Sequence, residues 1–76
     1  MELDKFIENF AAQFDDTDAD EFKAETKLRE IEEWTSLNAL SVIGMVDEEY
    51  DVTLKGDDIR NSNTIEDLYN LIKSRL

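Results

Sequence analysis

The sequence predicts a small all-α protein, a bundle of three main helices plus one short helix with a long first loop. Apolar residues recur at intervals of three and four in three separate segments, which is the spacing of amphipathic helices. No proline and only two glycines interrupt the 76 residues, so little in the chain opposes helix formation. The length corresponds to one domain over residues 1–76.

The first helix is predicted over residues 2–14. Its apolar stripe consists of Leu3, Phe6, Ile7, Phe10 and Phe14. Residues 15–34 then form a connection that is longer than most loops in compact domains. Three apolar side chains are expected to hold this loop against the core, namely Phe22, Leu28 and Ile31. We also expect a short helical turn between Thr26 and Glu33.

The second helix is predicted from Ser36 to about Tyr50, with Thr35 as its N-cap. One face is expected to carry Leu37, Leu40, Ile43, Val46 and Tyr50, and the apolar surface is widened by Ala39, Val42 and Met45. A helix this apolar is either central to the bundle or partly a docking surface. Gly44 lies inside it at a cost of about 1 kcal/mol relative to alanine.

The second helix ends in three acids, Asp47, Glu48 and Glu49, with no base between them. Each acid opposes the helix dipole at a cost of about 0.3–1 kcal/mol at low salt. Stability alone would not select them, which favours a recognition role over a merely solvated acidic end.

The last part of the chain is predicted to hold an extended link over residues 51–54, a turn at Gly56 and a single helical turn over residues 57–61. Thr64 is then the N-cap of the last helix, with acids in its first turn and bases in its last turn. Its inward face is expected to consist of Ile65, Leu68, Ile72 and Leu76, helped by Leu71.

The net charge of −12 constrains the partners of this protein. Nucleic acids and anionic membrane surfaces are disfavoured, because binding them requires clustered Lys and Arg. Proteins with basic patches are the expected partners, although the charge by itself also explains a soluble monomer. The acidic N-terminus lacks a signal peptide and no apolar run could span a membrane, which predicts a cytoplasmic protein.

The sequence contains few of the residue types that usually act in catalysis. The chain has no histidine and no cysteine, so the commonest general bases and thiol nucleophiles are absent, and we expect a protein that is not an enzyme. One segment approaches a calcium loop, since Asp16, Asp18 and Asp20 occupy its first, third and fifth positions. Glu21 and Lys27 replace the required glycine and glutamate, so no specific metal site is predicted.

Ser36 is the most informative residue. As the first residue of a helix, its hydroxyl lies near unpaired backbone N–H groups and the positive end of the helix dipole. An anion attached to that oxygen would be stabilised. Because no histidine is available to activate it, Ser36 is predicted to be modified by another enzyme.

The residues around Ser36 resemble a known family. Trp34-Thr35-Ser36-Leu37, the apolar helix that follows and its ending Val46-Asp47-Glu48-Glu49-Tyr50 look like an acyl carrier protein. Asn63-Thr64-Ile65-Glu66-Asp67-Leu68 resembles the start of the last helix in that family. The resemblance covers nearly the whole chain and is strongest from residue 34 to residue 72.

By this resemblance, Ser36 would carry 4′-phosphopantetheine, added from coenzyme A by a separate phosphopantetheinyl transferase, and its thiol would hold an acyl group as a thioester. Leu37, Asp47 and Glu48 would contact acyl-loading and synthase enzymes that carry basic patches. Some family members enclose the acyl chain, and the candidate lining residues, which are otherwise ordinary core, are Val46, Tyr50, Leu54, Ile59 and Leu68.

This sequence departs from the family at four positions. Thr35 replaces an aspartate, Asn38 and Ser41 occupy positions that are often acidic, and Ser62 replaces an apolar residue. The changes at Thr35, Asn38 and Ser41 remove charge near the attachment point and favour a dedicated carrier of a specialised, polyketide-like pathway over the housekeeping fatty-acid carrier. Trp34 is interpreted either as part of a private recognition surface or as an anchor for the long loop.

Two alternatives remain at this stage. One is an unmodified acidic interaction module of the same fold, which would have no use for Ser36. The best support for this alternative is Thr35, because it replaces the aspartate of the family motif. A peptidyl or D-alanyl carrier would share Ser36 and differ only in cargo. The capped domain over residues 1–76 leads us to expect a free-standing carrier.

Overall fold

Each predicted helical segment forms a helix in the computed structural model, which describes residues 2–15 and 17–76. Within these residues the α-helices are α1 (Leu3–Ala11), α2 (Ser36–Tyr50), α3 (Gly56–Asn61) and α4 (Ile65–Ser74). Two short 3-10 turns, Ala19–Glu21 and Leu28–Glu30, lie in the connection between α1 and α2. The predicted all-α bundle of three main helices plus one short helix is confirmed. Every described helix is too short or too polar to cross a membrane.

The first helix is shorter than predicted, although its apolar face is correct. After Ala11 the chain tightens, and Gln13 N and Phe14 N donate to carbonyls three residues back, those of Phe10 and Ala11, at 3.1 and 3.0 Å. This is the usual way in which a helix end satisfies its last carbonyls. The tighter turn continues the stripe, so Phe14 is buried although it lies beyond the helix.

The core forms where α1 packs against both α2 and α4. The buried helix residues are Phe6 and Phe10 of α1, Val42, Met45 and Val46 of α2, Ile59 of α3, and Ile65, Leu68, Tyr69 and Ile72 of α4. The short extended link after α2 adds two buried side chains, Val52 and Leu54. The predicted inward face of α4 is confirmed except for Leu76, which lies beyond the end of the helix and is 64% exposed.

The structure divides the predicted apolar face of α2 between the core and solvent, since Val46 is buried and Ile43 and Tyr50 are half-buried. Leu37 and Leu40 are 74% and 64% exposed, while Val42 and Met45 are buried. Because α2 is apolar around most of its circumference, the spacing of its apolar residues does not determine which side faces the core. The structure therefore leaves two leucines of α2 exposed to solvent.

The long connection is held by the aromatic side chains at its two ends and its middle. The rings of Phe14 and Phe22 are 5.0 Å apart, and Trp34 stacks against Phe10 and Phe14 at 6.2 Å from each. The predicted burial of Phe22, Leu28 and Ile31 is confirmed. Trp34 is half-buried, so anchoring the loop is one of its roles.

The same connection also accepts hydrogen bonds from the start of α4. The first two backbone N–H groups of α4, those of Ile65 and Glu66, donate to carbonyls of the loop, Thr26 O at 3.1 Å and Ala24 O at 3.0 Å. The third, Asp67 N, donates to Thr64 Oγ1 at 3.1 Å, which confirms the predicted N-cap. Thr64 N donates to Asp67 Oδ2 at 3.1 Å, so all four N–H groups that a helix leaves unpaired at its start are used inside the molecule.

An ion pair joins α3 to the end of α4. Arg75 Nη1 and Nη2 donate to Asp58 Oδ2 and Oδ1, both at 2.9 Å, and the two side chains are 39% and 19% exposed. The hydrogen bond from Arg75 is the main cause that lowers the pKa of Asp58 below its ordinary value of 3.8, and the bond from Lys55 N adds to the effect. Such two-pronged pairs are among the stronger surface ion pairs.

We expect Arg75→Gln to lower the melting temperature of the protein at neutral pH, because it removes both hydrogen bonds to Asp58. Since folding lowers the pKa of Asp58, the contribution of the pair is complete above pH 3.8 and is lost as the pH falls through the lowered pKa. Thermal unfolding of both proteins between pH 7 and pH 3 should show the difference shrinking at the acid end.

Arg60→Gln is the matched control. Arg60 pairs with Asp57 three residues away in α3, and both side chains are about three-quarters exposed, at 74% and 76%. Exposed pairs of this kind contribute little. An equal loss from both variants would show that the pairing of Asp58 with Arg75 has no special role.

Candidate functional site

Ser36 is the first residue of α2 and is exposed. The extended backbone of Thr35 directs the chain into the helix, and its side-chain oxygen accepts a hydrogen bond from Asn38 N at 3.3 Å. Thr35 Oγ1 also donates to Asn38 Oδ1 at 2.8 Å. The predicted N-cap is confirmed, and it fixes the backbone from which the Ser36 hydroxyl projects.

The start of α2 differs from the start of α4. In the described part of the chain, Ser36 N and Leu37 N donate to no acceptor. The first turn of α2 also contains no acid, whereas α1, α3 and α4 each carry at least one there. The positive end of the α2 dipole and two N–H groups are therefore available to an external anion beside the Ser36 hydroxyl.

Two of the residues that depart from the family pattern, Asn38 and Ser62, form hydrogen bonds inside the molecule. Asn38 is half-buried, and its Nδ2 donates to Gln13 O at 3.4 Å, which joins the start of α2 to the end of α1. An acid at this position has no N–H to donate. Ser62 is buried, and its hydroxyl donates to Asp58 O at 2.9 Å, so its polar atom is satisfied.

A groove of about 590 Å³ opens beside Ser36, between α2 and α3. It is lined by Trp34, Thr35, Ser36, Ala39, Leu40 and Ile43 on one side and by Gly56, Ile59 and Arg60 on the other. Most of its side chains are apolar, so it suits an elongated ligand with an apolar portion. Its entrance includes the serine that the sequence singles out.

Of the five residues predicted to line an acyl cavity, Ile59 alone lines this groove. Val46, Leu54 and Leu68 are buried in the core, and the half-buried Tyr50 accepts a hydrogen bond from Asn9 Nδ2 at 2.9 Å. The sequence analysis missed Ala39 and Ile43, although both follow Ser36 at helical spacing on the same face. Nothing in the sequence pattern indicated Arg60.

The residues predicted to contact partners lie on the exposed side of α2. Leu37, Asp47 and Glu48 are all exposed, and the exposed Leu40 lies beside Leu37. Within the described residues, Asp47 and Glu48 form no ion pair. No Lys or Arg occurs between residues 30 and 54, so bases to match these acids would have to come from a partner.

The candidate calcium loop begins at Asp16, which lies outside the described residues. Among the residues that are described, no group of three or more acidic side chains is placed to hold a metal ion. The absence of a specific metal site stays a prediction.

Comparison with known proteins identifies the type of site. The model of the family described as "Phosphopantetheine attachment site" matches residues 5–72 of this 76-residue chain. Searches of curated proteins and of solved structures gave no match. The matched segment includes Ser36, the groove and the exposed side of α2.

We expect Thr35→Ala to lower the free energy of unfolding by about 1 kcal/mol, because it removes the oxygen that caps α2. Thr35→Ser keeps the oxygen and should lose much less. Urea denaturation of the two variants and the parent protein measures the difference. Equal losses would mean that the Thr35 methyl group, and not its cap, stabilises the helix.

Proposed function

Because this chain belongs to the phosphopantetheine-attachment family, whose members are carrier domains with covalently attached 4′-phosphopantetheine, we propose that Ser36 is its point of attachment. The observation that supports this choice is the start of α2. There an exposed serine lies beside two N–H groups that have no acceptor among the described residues, in a first turn without an acid. The phosphodiester of the arm is an anion, and a helix start of this kind stabilises an anion.

The chain would act as a carrier and not as an enzyme. When bound, the arm supplies the thiol that holds an acyl group as a thioester, a group that the cysteine-free chain does not have. The residues around Ser36 position its hydroxyl, and we expect the transferase to supply the base that removes its proton, since the chain contains no histidine and the first turn of α2 contains no acid. A single carrier domain over residues 1–76 and a cytoplasmic location stay predictions.

The partners would be the phosphopantetheinyl transferase and the enzymes that load or use the acyl group. Leu37 and Leu40 offer these enzymes an exposed apolar contact next to Ser36. Asp47 and Glu48 offer carboxylates that form no ion pair with any described residue, at positions farther along α2 where they oppose the helix dipole. A basic partner compensates for this cost, and its approach is steered by the net charge of −12.

A specialised, polyketide-like pathway suits this carrier better than housekeeping fatty-acid synthesis. Thr35 and Asn38 act together as a neutral cap, so no acid lies next to the attachment point. Partners that require an acid there would bind this chain poorly, whereas dedicated partners would not. A peptidyl or D-alanyl cargo is the second candidate, since it needs the same serine and no acid at residue 35, 38 or 41.

The attachment is tested by incubating the purified protein with coenzyme A, magnesium and a broad-specificity phosphopantetheinyl transferase, followed by intact-mass measurement. We expect the parent protein to gain the mass of one phosphopantetheine and Ser36→Ala to gain none. Ser41→Ala is the matched control, because it removes another exposed hydroxyl of α2, and it should be loaded like the parent.

Loading of Ser36→Ala would place the attachment at another residue. If no protein in the set were loaded, including with the transferase from the source organism, the alternative of an unmodified acidic interaction module would replace the carrier. In that case we expect Ser36→Ala to bind its partner as the parent protein does.

The groove between α2 and α3 is the proposed resting place of the arm and its cargo. It begins at Ser36, and Ala39, Ile43 and Ile59 provide apolar lining. The core residues predicted earlier as lining, such as Val46 and Leu68, are fully buried among other core side chains. Cargo in the groove would be shielded on two sides without any rearrangement of the core.

We expect Ala39→Phe to fill part of the groove and to expose the cargo to water. A polarity-sensitive fluorophore attached to the thiol of the loaded arm should emit at longer wavelength in this variant than in the parent. Ala12→Phe adds the same ring on the exposed end of α1, away from the groove, and should leave the emission unchanged. Identical emission from all three proteins would show that the cargo does not rest in the groove.

A further inference from the structure

Trp34 is the single tryptophan of the chain, and its contacts with the core involve only part of its side chain. Its ring is nearly parallel to the rings of Phe10 and Phe14, at interplanar angles of 14° and 22°, and these contacts fix the plane of the indole. Other apolar anchors of the long connection, such as Phe22 and Leu28, are buried, whereas Trp34 is half-buried. Part of a firmly held indole is therefore left exposed.

The polar atom of Trp34 is also unused. A buried indole N–H usually finds an acceptor, because leaving it unpaired costs free energy. Trp34 Nε1 donates to no acceptor in the described part of the chain, and no buried side-chain nitrogen or oxygen there lacks a partner, so this N–H is accessible to solvent. A leucine or a phenylalanine would hold the connection by burial alone. Packing therefore does not explain why an indole occupies this position.

Trp34 lines the groove between α2 and α3, two residues from Ser36, and faces two unusual residues on the α3 side, Gly56 and Arg60. Gly56 has no side chain, and an added Cβ would meet nothing within 4 Å, so the space beside it is open. Arg60 pairs with Asp57, but none of the described aromatic rings lies against its guanidinium plane. The groove thus has a flat group on each side and open space beside Gly56.

We propose that the cargo carried at Ser36 is a flat, conjugated acyl group, such as an aromatic acid held as its thioester, and that it lies in this groove against the Trp34 ring. Aromatic faces attract each other in offset stacks, and this attraction adds to the effect of burial. A guanidinium plane stacks on the same kind of surface, so Arg60 would cover the cargo from the α3 side. The indole N–H would donate to an oxygen at the edge of the cargo.

A saturated acyl chain matches these residues less well. It would gain only burial against Ala39, Ile43 and Ile59, and it has no π-face for the indole or the guanidinium. A groove for such a chain needs apolar lining alone, and covering the charged Arg60 with a saturated chain would remove water from it without compensation. The residues that distinguish this groove therefore favour a flat cargo.

This inference rests on the proposed function and deepens it, since it names the class of cargo that Ser36 would carry. The arm is flexible and would be attached two residues from Trp34, so its end can fold back onto the indole. Stacking of the cargo and attachment of the arm are measured separately, by NMR and by mass.

The test loads Ser36 with two cargoes that share one carbon skeleton, using cinnamoyl-coenzyme A and 3-cyclohexylpropanoyl-coenzyme A as donors for the transferase. Intact mass confirms that each protein is loaded. The cinnamoyl group is flat and conjugated, whereas the cyclohexyl group is saturated and puckered. We expect nuclear Overhauser effects from the cargo to the indole protons of Trp34 to be at least several-fold stronger for cinnamoyl. Since the chain has one tryptophan, the indole N–H signal is assigned directly.

The melting temperatures of the loaded proteins provide a second measurement. Cinnamoyl should raise the melting temperature by about 4 °C more than the saturated cargo does. Trp34→Leu should abolish this difference, while Trp34→Phe, which keeps a smaller ring, should retain part of it. Arg60→Gln should reduce the difference and have little effect on the unloaded protein, because the pair of Arg60 with Asp57 is exposed. The matched control is Lys73→Gln, which removes a base from the exposed end of α4 and should leave the difference unchanged.

Equal Overhauser effects and equal melting temperatures for the two loaded cargoes would overturn the proposal and leave the carrier function intact. Retention of the full difference in Trp34→Leu would overturn it as well, provided that the NMR spectrum remains that of a folded protein. If Trp34→Leu does not fold, Trp34→Phe decides, and an undiminished difference there contradicts the proposal. Absence of loading with both donors and with coenzyme A itself would instead refute the carrier function, and this inference with it.

Discussion

The rotational position of α2 about its own axis is the constraint on which the rest of the site depends. Val42, Met45 and Val46 are buried where α1 packs against α2, and this fixes every other residue of the helix. Leu37 and Leu40 are then exposed, and Ala39 and Ile43 line the groove on the α3 side. A rotation by one residue, about 100°, would bury different side chains and remove both surfaces.

The long connection supplies hydrogen-bond acceptors to the N–H groups at the start of α4 and not to those at the start of α2. Its carbonyls accept the first N–H groups of α4, and its aromatic residues fill the space between α1 and Trp34. Among the described residues, Thr35 is the cap of the α2 start, and Ser36 N and Leu37 N have no acceptor. The loop carbonyls thus pair with the start of α4, and the start of α2 stays available to an anion.

Charge along α2 is arranged against the stability of the isolated helix at both ends. The first turn lacks the acid that the dipole favours, and the last turn carries Asp47, Glu48 and Glu49 with no compensating base. Gly44 in its interior is a third unfavourable choice that local packing does not explain. Departures from local optimality of this kind concentrate at functional sites, and here they fall on the helix that bears the proposed attachment site.

The sequence by itself determined the helix positions, the N-caps Thr35 and Thr64, and the serine at the start of α2. These features depend on short-range rules, namely apolar spacing and the preference of hydroxyl side chains for helix starts. It did not determine which side of α2 faces the core, because a helix that is apolar nearly all round has no unique inward side. The groove beside Ser36 and the exposure of Leu37 and Leu40 follow from that choice. Only the tertiary structure decided which side of α2 faces the core, because that side depends on how the side chains of α1, α2 and α4 fill one shared core.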